Sequence, residues 1–567
     1  MELGVADFET VNKSDDCRVW SWAYTRINDI DNVIIGKDLK SFMEFIGEGQ
    51  HNIKRKIYFH NLRFDASFIL DYLLRNGYKY LDKSEKPQDK TFSTLITDMD
   101  VMYSLTIYFY GGKHPSKVEF NDSLKLIPKS VDQIAKDFNL GESKGIIEYN
   151  KERGLDYDLT ENEKEYISND VKIVARALIE MFKFKIDRLT LSSSALKFYK
   201  DITEEFERKF PRISNEEDLN MRAAYKGGFT FLNSEYEDKD IKDVVCLDVN
   251  SLYPSQMRNR PLPYGKPIKF TGEPKNNIIY DLWVGNFDCE FELKENFIPT
   301  IQIKHSLFYK GNEYLSSSEG EIVNLTMTNV DFIIFSKHYE IYNLEWNGGY
   351  YFLSSETNFT GYVDYWYEQK NKAKHENNDS LYTISKLMQN SLYGKFAFSP
   401  YGKKKIPYLD EETDRVKFKL SETEELTPVY LPVAIFVTAW ARYTTISASQ
   451  SIYEQKTETG GSYYIYSDTD SIHYINGADL SGIEVDEYKL GAWKIEKKCD
   501  RARYLRQKTY IMEKDGKLSV TCAGMPSKIH DQVTWENFHK GVTYHGKLAQ
   551  KRVKGGIILS ETDFTIR

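Results

Sequence analysis

Four carboxylates in the first third of this 567-residue chain have the types and spacing for metal-assisted hydrolysis. Asp7 and Glu9 stand two residues apart in Asp7-Phe8-Glu9-Thr10. In a strand, that spacing projects both acids from one face and sends Phe8 into the opposite layer. Asp65 follows His60-Asn61-Leu62-Arg63-Phe64, and Asp170 lies four positions after Tyr166, which puts phenol and carboxylate on one helical face. Asp7, Glu9, Asp65 and Asp170 can together hold two divalent cations that activate water and stabilise oxyanion charge at a phosphodiester, with Tyr166 orienting the nucleophile. A 3′-5′ exonuclease would follow. Isolated acids at strand ends more often cap neighbouring elements, and a lone Tyr more often packs; the ordered combination is what favours catalysis. Thr10, Asn61 and Phe64 suit a DNA backbone, a base edge and a stacked terminal base, although each also has an ordinary role as cap, turn residue and core ring.

A second constellation lies further on. Asp248-Val249-Asn250-Ser251-Leu252-Tyr253-Pro254 ends a buried-strand pattern, and Tyr466-Ser467-Asp468-Thr469-Asp470-Ser471 sits between apolar runs as a hairpin. Asp248, Asp470 and the Val249 carbonyl can coordinate two Mg²⁺ ions for phosphoryl transfer from a nucleoside triphosphate to a primer hydroxyl, with Ser251 and Asp468 in support. An acidic hairpin turn alone is commonplace. Lys386, Asn390 and Tyr393 follow at intervals of four and three, one helical face, with Lys386 for triphosphate oxygens and Asn390 for polar positioning. Tyr393 and Tyr253 shape the sugar pocket, where a ring beneath C2′ excludes an extra hydroxyl. Lys374 is a second phosphate ligand. Tyr225-Lys226-Gly227-Gly228-Phe229 can bring backbone close to DNA through its glycines, or be a simple hairpin turn. Arg501, Arg503, Arg506, Lys508 and Tyr510 form a basic and aromatic run suited to primer phosphates, and residues 540–554 add five basic residues without an acid.

Positioning such groups needs several folded units, and the length predicts three or four. Residues 1–188 alternate apolar runs and amphipathic stretches as an α/β domain; Thr160 and Glu163 form a capping box that starts a helix bearing Tyr166, Ile167, Val171, Val174 and Leu178. Residues 262–358 read as strands with a helix near 328–339, residues 359–394 as dominated by a helix, from about Ser380 to Tyr393, that ends at Gly394, and residues 395–424 as an exposed insertion. A helix is expected over Ala434 to Gln450, a hairpin over Tyr463 to Ile475, and a small terminal lobe over 529–567. Lys plus Arg total 76 against 85 Asp plus Glu, a net charge of -9, which excludes a uniformly basic coat for nucleic acid. The five cysteines are scattered without a Cys-x-x-Cys pair, so neither a disulfide framework nor a thiolate zinc site is supported. The start Met1-Glu2-Leu3 predicts no signal peptide, and the apolar run Tyr430 to Ala441 is too short for membrane insertion.

In their order along the chain these motifs resemble the protein-primed family B DNA polymerases of phages, the Bacillus phage phi 29 type. The likeness rests on Asp7 to Thr10, Tyr58 to Asp65, Tyr166-x-x-x-Asp170, Asp248 to Pro254, Lys386 to Gly394, Tyr466 to Ser471 and Lys508-Thr509-Tyr510. It adds Ser123, Leu124 and Lys144 to the single-strand cleft and assigns Lys508 and Tyr510 to primer binding. The implied fold is α/β plus α+β multidomain: a ribonuclease H-like 3′-5′ exonuclease domain and a right-hand polymerase with two terminal-protein-region insertions. The implied domains are exonuclease 1–188, palm 189–261 and 425–528, first insertion 262–358, fingers 359–394, second insertion 395–424 and thumb 529–567.

The resemblance further implies DNA-directed synthesis with proofreading and strand displacement, Mg²⁺ as cofactor with Mn²⁺ as substitute, and work in the bacterial host cytoplasm. Implied partners are primer-template DNA, single-stranded DNA, dNTPs, a terminal protein whose hydroxyl accepts the first dAMP, and phage single-strand and double-strand DNA-binding proteins. The chain would act as a monomer or as a heterodimer with terminal protein. His305 and Leu307 stand where a relative's partner-binding loop carries Arg, which implies an altered interface. Tyr382 replaces a finger Lys; Lys374 keeps the twelve-residue separation from Lys386, with Lys370 as the alternative. A DNA-gripping nuclease without synthesis and a noncatalytic replication scaffold are the competing readings.

Overall fold

The computed structural model describes residues 1–567 except 146, 149, 150 and 277. An eight-stranded sheet builds the N-terminal body, in the order Asp29–Gly36, Cys17–Arg26, Glu2–Asn12, Lys54–Phe59, Ser116–Asp122, Met102–Tyr110, Thr91–Ile96, Lys79–Tyr80. Glu2–Asn12, Lys54–Phe59 and Ser116–Asp122 run parallel, so Glu9, the turn before Asp65 and Asp122 emerge on one side of the sheet. The period of two decides the faces. Phe8 packs edge-on against Phe42 and Phe59 in one layer, which also holds helix Leu62–Arg75. Helix Glu161–Lys183 covers the other face, where Ile167, Val171, Val174 and Leu178 share a core with Val5 and Tyr58. The Thr160–Glu163 capping box starts it, a device that contributes about 1 kcal/mol.

A seven-stranded antiparallel sheet carries the second site, in the order Lys517–Cys522, Thr509–Lys514, Trp493–Arg506, Asp240–Val249, Ser471–Ile475, Tyr464–Asp468, Thr230–Leu232. Helix Leu431–Tyr453, with Pro432 in its first turn, is buried along most of its length and braces this sheet. Among the described residues, no helix is long and apolar enough to cross a membrane. Residues 262–358 form a four-stranded antiparallel sheet with helix Asn329–His338, as the sequence suggests.

The segments after residue 358 differ in part from expectation. The expected helix near 380–393 is Asp379–Ser391, but a second one, Thr360–Glu376, precedes it: the two form a hairpin broken at Asn377, whose φ of 52° and the capping Asn378 side chain reverse the chain. Gly394 sits inside a short helical turn, Tyr393–Phe396, instead of ending a helix. Residues 395–424 carry few buried side chains, as an exposed stretch should, yet they are tethered. Their hairpin Lys405–Asp410/Arg415–Leu420 packs on the N-terminal body, with Val416 in its core and Asp414 2.7 Å from both Arg75 and Lys554. The terminal lobe spans two bodies. Its hairpin Thr543–Val553/Gly556–Thr565 reaches back to Asn12 and Phe68, where a Cβ on Gly556 would meet the Phe68 ring at 2.5 Å.

Candidate active sites

Ligand oxygens of Asp7, Glu9 and Asp170 lie within 4.8 Å of one another. Asp65 stands outside that trio but next to it: its buried carboxylate accepts from the Phe8 and Asp65 backbone N–H groups and feels the charge of Asp7. Burial and then the Asp170 charge push Asp7 up to about 7, against an opposing pull from Lys144. Burial followed by Asp7 lifts Glu9 well above its ordinary value, and burial raises Asp170. Three acids packed this closely cannot all ionise without a cation. Lys144 answers part of that demand, with Nζ 2.8 Å from Asp170 Oδ2 and 5.4 Å from the Tyr166 ring centre. Asp170 Oδ1 is buried without a hydrogen bond, an orphan acceptor that a divalent cation would satisfy.

The flanking residues divide. Thr10 lies at a register shift beside Glu9, and Asn61, exposed with φ 72°, opens helix Leu62–Arg75. Phe64 is half-buried against Phe68. Asp122 Oδ1 accepts from Asn61 N and Leu124 N, each at 3.0 Å, and so ties the two strand ends together. Ser123 is fully buried and donates to the Phe59 carbonyl at 3.0 Å, so it holds the strand end in place. Leu124 stays partly accessible.

In the second sheet, Asp248 is in register with Ser471, and Val249 N–H donates to the Asp470 carbonyl at 2.8 Å. Asp248 and Asp470 therefore face one open cleft of about 390 Å³, together with Asp468, Glu496, Lys508 and Tyr510. Burial and then the Asp470 charge raise Asp248 to about 6, with Lys494 and Lys386 opposing; burial also raises Asp470. Asp468 is occupied by neighbours: Oδ1 accepts from Thr230 Oγ1 at 3.0 Å and Lys508 Nζ at 2.9 Å, and Oδ2 from Tyr466 at 3.2 Å. Ser251 has φ 58° and turns the chain into helix Leu252–Asn259, which aims Tyr253 at Tyr393. Those rings stack with centres 4.3 Å apart, and Tyr225 lies beside them. Lys386 and Asn390 are exposed on the same helical face.

The family description DNA polymerase type B, organellar and viral, matches residues 50–151 and 142–484. The DNA polymerase of Bacillus phage B103 is 43% identical and that of Bacillus phage Nf 44%, each alignment covering 99% of both chains. The chain belongs to this family. The structure of phi29 DNA polymerase with primer-template DNA and incoming nucleotide superimposes with a TM-score of 0.93 at 42% identity over 100% of both chains. The polymerase is thus of the protein-primed phage type, a right hand of palm, fingers and thumb beside a 3′-5′ exonuclease domain.

Sequence reasoning about the polymerase's DNA groove needs revision. Residues 225–229 do not form a hairpin, and neither Gly227 nor Gly228 has a positive φ. Gly228 is needed for close approach, since a Cβ there would meet Thr469 Oγ1 at 2.6 Å. Arg442 holds this loop, donating to the Lys226 and Gly227 carbonyls at 2.7 and 3.1 Å while paired with Asp331. Arg501 pairs with Glu513, Arg503 with Asp240, and Arg506 donates to the Arg567 carbonyl, so all three have partners within the fold. Tyr510 packs against Tyr466, Tyr504 and His473 and presents a partly buried ring beside Lys508. Reasoning from motifs missed Lys494, Glu496 and Arg442. Strand alternation could have flagged Lys494 and Glu496 once Trp493–Arg506 was known to pair with the Asp248 strand.

Proposed function

We propose that the polymerase joins dNTPs to a primer at Asp248 and Asp470 and removes mismatched ends at Asp7, Glu9, Asp65 and Asp170. The register that sets Asp248 beside Ser471 and Asp470 carries the reading, because it converges two half-buried carboxylates on a cleft rimmed by lysines. Mg²⁺, or Mn²⁺ in its place, supplies Lewis-acid stabilisation of the reacting oxygens when held at either acidic site, with the Val249 carbonyl as a further ligand in the second. Lys386, with Lys374 or Lys370, binds triphosphate oxygens, and Asn390 orients the nucleotide. Tyr253 and Tyr393 form the floor that a ribose 2′-hydroxyl would strike.

At the exonuclease site Tyr166 orients the attacking water while Lys144 holds Asp170. Thr10, Asn61, Phe64 and Leu124 grip the single-stranded end, with Ser123 fixing the strand they stand on. Tyr225, Gly227 and Gly228 lie along primer-template DNA, and Lys508 and Tyr510 hold the primer. The palm comprises 189–261 and 425–528, the fingers 359–394 and the thumb 529–567, with 262–358 and 395–424 as insertions.

Initiation uses a terminal protein whose hydroxyl receives the first dAMP, in the bacterial host cytoplasm, with phage DNA-binding proteins assisting elongation and strand displacement. His305 and Leu307 are exposed on the first insertion, where they would meet that partner. Incubating the polymerase with its terminal protein, labelled dATP and Mg²⁺ tests this: a covalent labelled adduct is expected, and a DNA-only elongator would give none.

A further inference from the structure

Lysines from three separate segments converge beside the polymerase carboxylates. Lys370 and Lys374 stand on helix Thr360–Glu376, Lys386 on helix Asp379–Ser391, and Lys494 on the palm strand Trp493–Arg506. Lys494 is in register with Asp248, and its Nζ lies 3.8 Å from Asp248 Oδ1. Lys370 is held down to about 8 by burial and then by the charges of Lys374, Lys386 and Lys494, so the four ammonium groups share one field. Such crowding is unfavourable unless a polyanion occupies the space between them. The Tyr488 carbonyl accepts from the Tyr367 hydroxyl, and Lys374 lies over the Tyr488 ring, so the 486–491 turn ties the finger helix to the start of the Lys494 strand.

We propose that Lys494 is a palm-borne phosphate ligand that pairs with Asp248 in the nucleotide-free enzyme and turns to the β,γ-phosphates when a dNTP enters. The geometry suits an exchange. At 3.8 Å the Asp248 contact is an ion pair without a hydrogen bond, and a triphosphate offers Lys494 stronger acceptors. Release of Lys494 frees Asp248 for a cation at the same moment that nucleotide arrives, which couples the two binding events. This inference rests on the polymerase reading of the cleft.

Steady-state extension and nucleotide binding by Lys494→Ala and Lys494→Arg test it. Binding of dATP to the enzyme on a dideoxy-terminated primer-template, in Ca²⁺, gives a readout independent of turnover. Lys494→Ala is expected to weaken dATP binding and raise its KM about tenfold, the loss of one charge-assisted hydrogen bond, with kcat changed less than about threefold. Inhibition by inorganic pyrophosphate should weaken in parallel, and Lys494→Arg should retain most of the affinity. Unchanged dATP affinity with a reduced kcat would overturn the proposal and leave Lys494 as a prop for Asp248. Excision of single-stranded DNA, which uses the other site, reports that the variant is folded. A wild-type enzyme that incorporates no nucleotide would instead defeat the polymerase reading itself.

Discussion

Replacing Asp7 with Asn should stabilise the metal-free protein while destroying its proofreading. Burial and the Asp170 charge raise Asp7 from an ordinary 3.8 to about 7. The native state therefore holds a proton that the unfolded chain releases, and stability falls as pH rises from about 4 to about 7, then levels off. That interval corresponds to about 4 kcal/mol at most, and water entering the partly open cleft reduces it to about 2 kcal/mol. Asn keeps the shape without the charge. If the exonuclease domain melts as one unit, Asp7→Asn in EDTA at pH 8 should raise its melting temperature by about 4–8 °C. At pH 5 the gain should fall to less than half, because wild-type Asp7 is then largely protonated. Saturating Mg²⁺ should narrow the gap by stabilising only the wild type. Differential scanning calorimetry over this grid checks the claim. A variant less stable than wild type at pH 8 in EDTA would refute it, since the trio would then be held by hydrogen bonds that Asn breaks instead of strained by charge.

The two sites should separate cleanly: Asp248→Ala or Asp470→Ala should remove nucleotide incorporation by at least about a thousandfold while excision of single-stranded DNA stays near wild type. Asp170→Ala should do the reverse, leaving extension of a matched primer intact and a mismatched 3′ end uncut, as gel-resolved products would show. Tyr253→Ala removes one ring of the stacked pair and should raise ribonucleotide use relative to deoxyribonucleotide about 10- to 100-fold, measured as the ratio of kcat/KM values. Asp414→Ala unlinks the 405–420 hairpin from Arg75 and Lys554 and should roughly halve product length on singly primed circular DNA, with a larger effect as salt is lowered, where these exposed pairs are least screened.

Local periodicity made much of both sites legible. Asp7 and Glu9 share a face because a strand alternates, and Thr160 with Glu163 marks the helix that delivers Tyr166 and Asp170. Lys386 and Asn390 read out a helix face directly, whereas Tyr393 falls past the helix end in the separate turn Tyr393–Phe396; the hairpin around Asp470 is bounded by its apolar runs. What stayed hidden depends on partners distant in sequence. Lys494 reaches Asp248 only because Trp493–Arg506 pairs beside Asp240–Val249, with a bulge at Cys246 and Leu247 setting the register. The tethering of the 405–420 hairpin was hidden because Asp414 and Arg75, 339 residues apart, meet only after folding. The same holds for Arg501 and Arg503, whose charges read as DNA contacts until Glu513 and Asp240 are placed against them. Ser123 likewise has a bond to the Phe59 carbonyl, across 64 residues, that its motif does not reveal.

The net charge of -9 is also reinterpreted by placement. Acids gather at the Asp7 and Asp248 clusters, while Lys370, Lys374 and Lys386 on the two helices and Lys494 on the strand beside Asp248 lie close to the second cluster. The central claim is that one chain carries two separable metal-dependent activities on DNA. Its most direct test gives the purified polymerase a primer with a single mismatched 3′ nucleotide, Mg²⁺ and all four dNTPs, beside Asp7→Ala and Asp248→Ala. The wild type should excise the mismatch and then extend; Asp7→Ala should leave it in place, and Asp248→Ala should shorten the primer without extending it. Extension by Asp248→Ala at the wild-type rate, or mismatch removal by Asp7→Ala, would contradict the account.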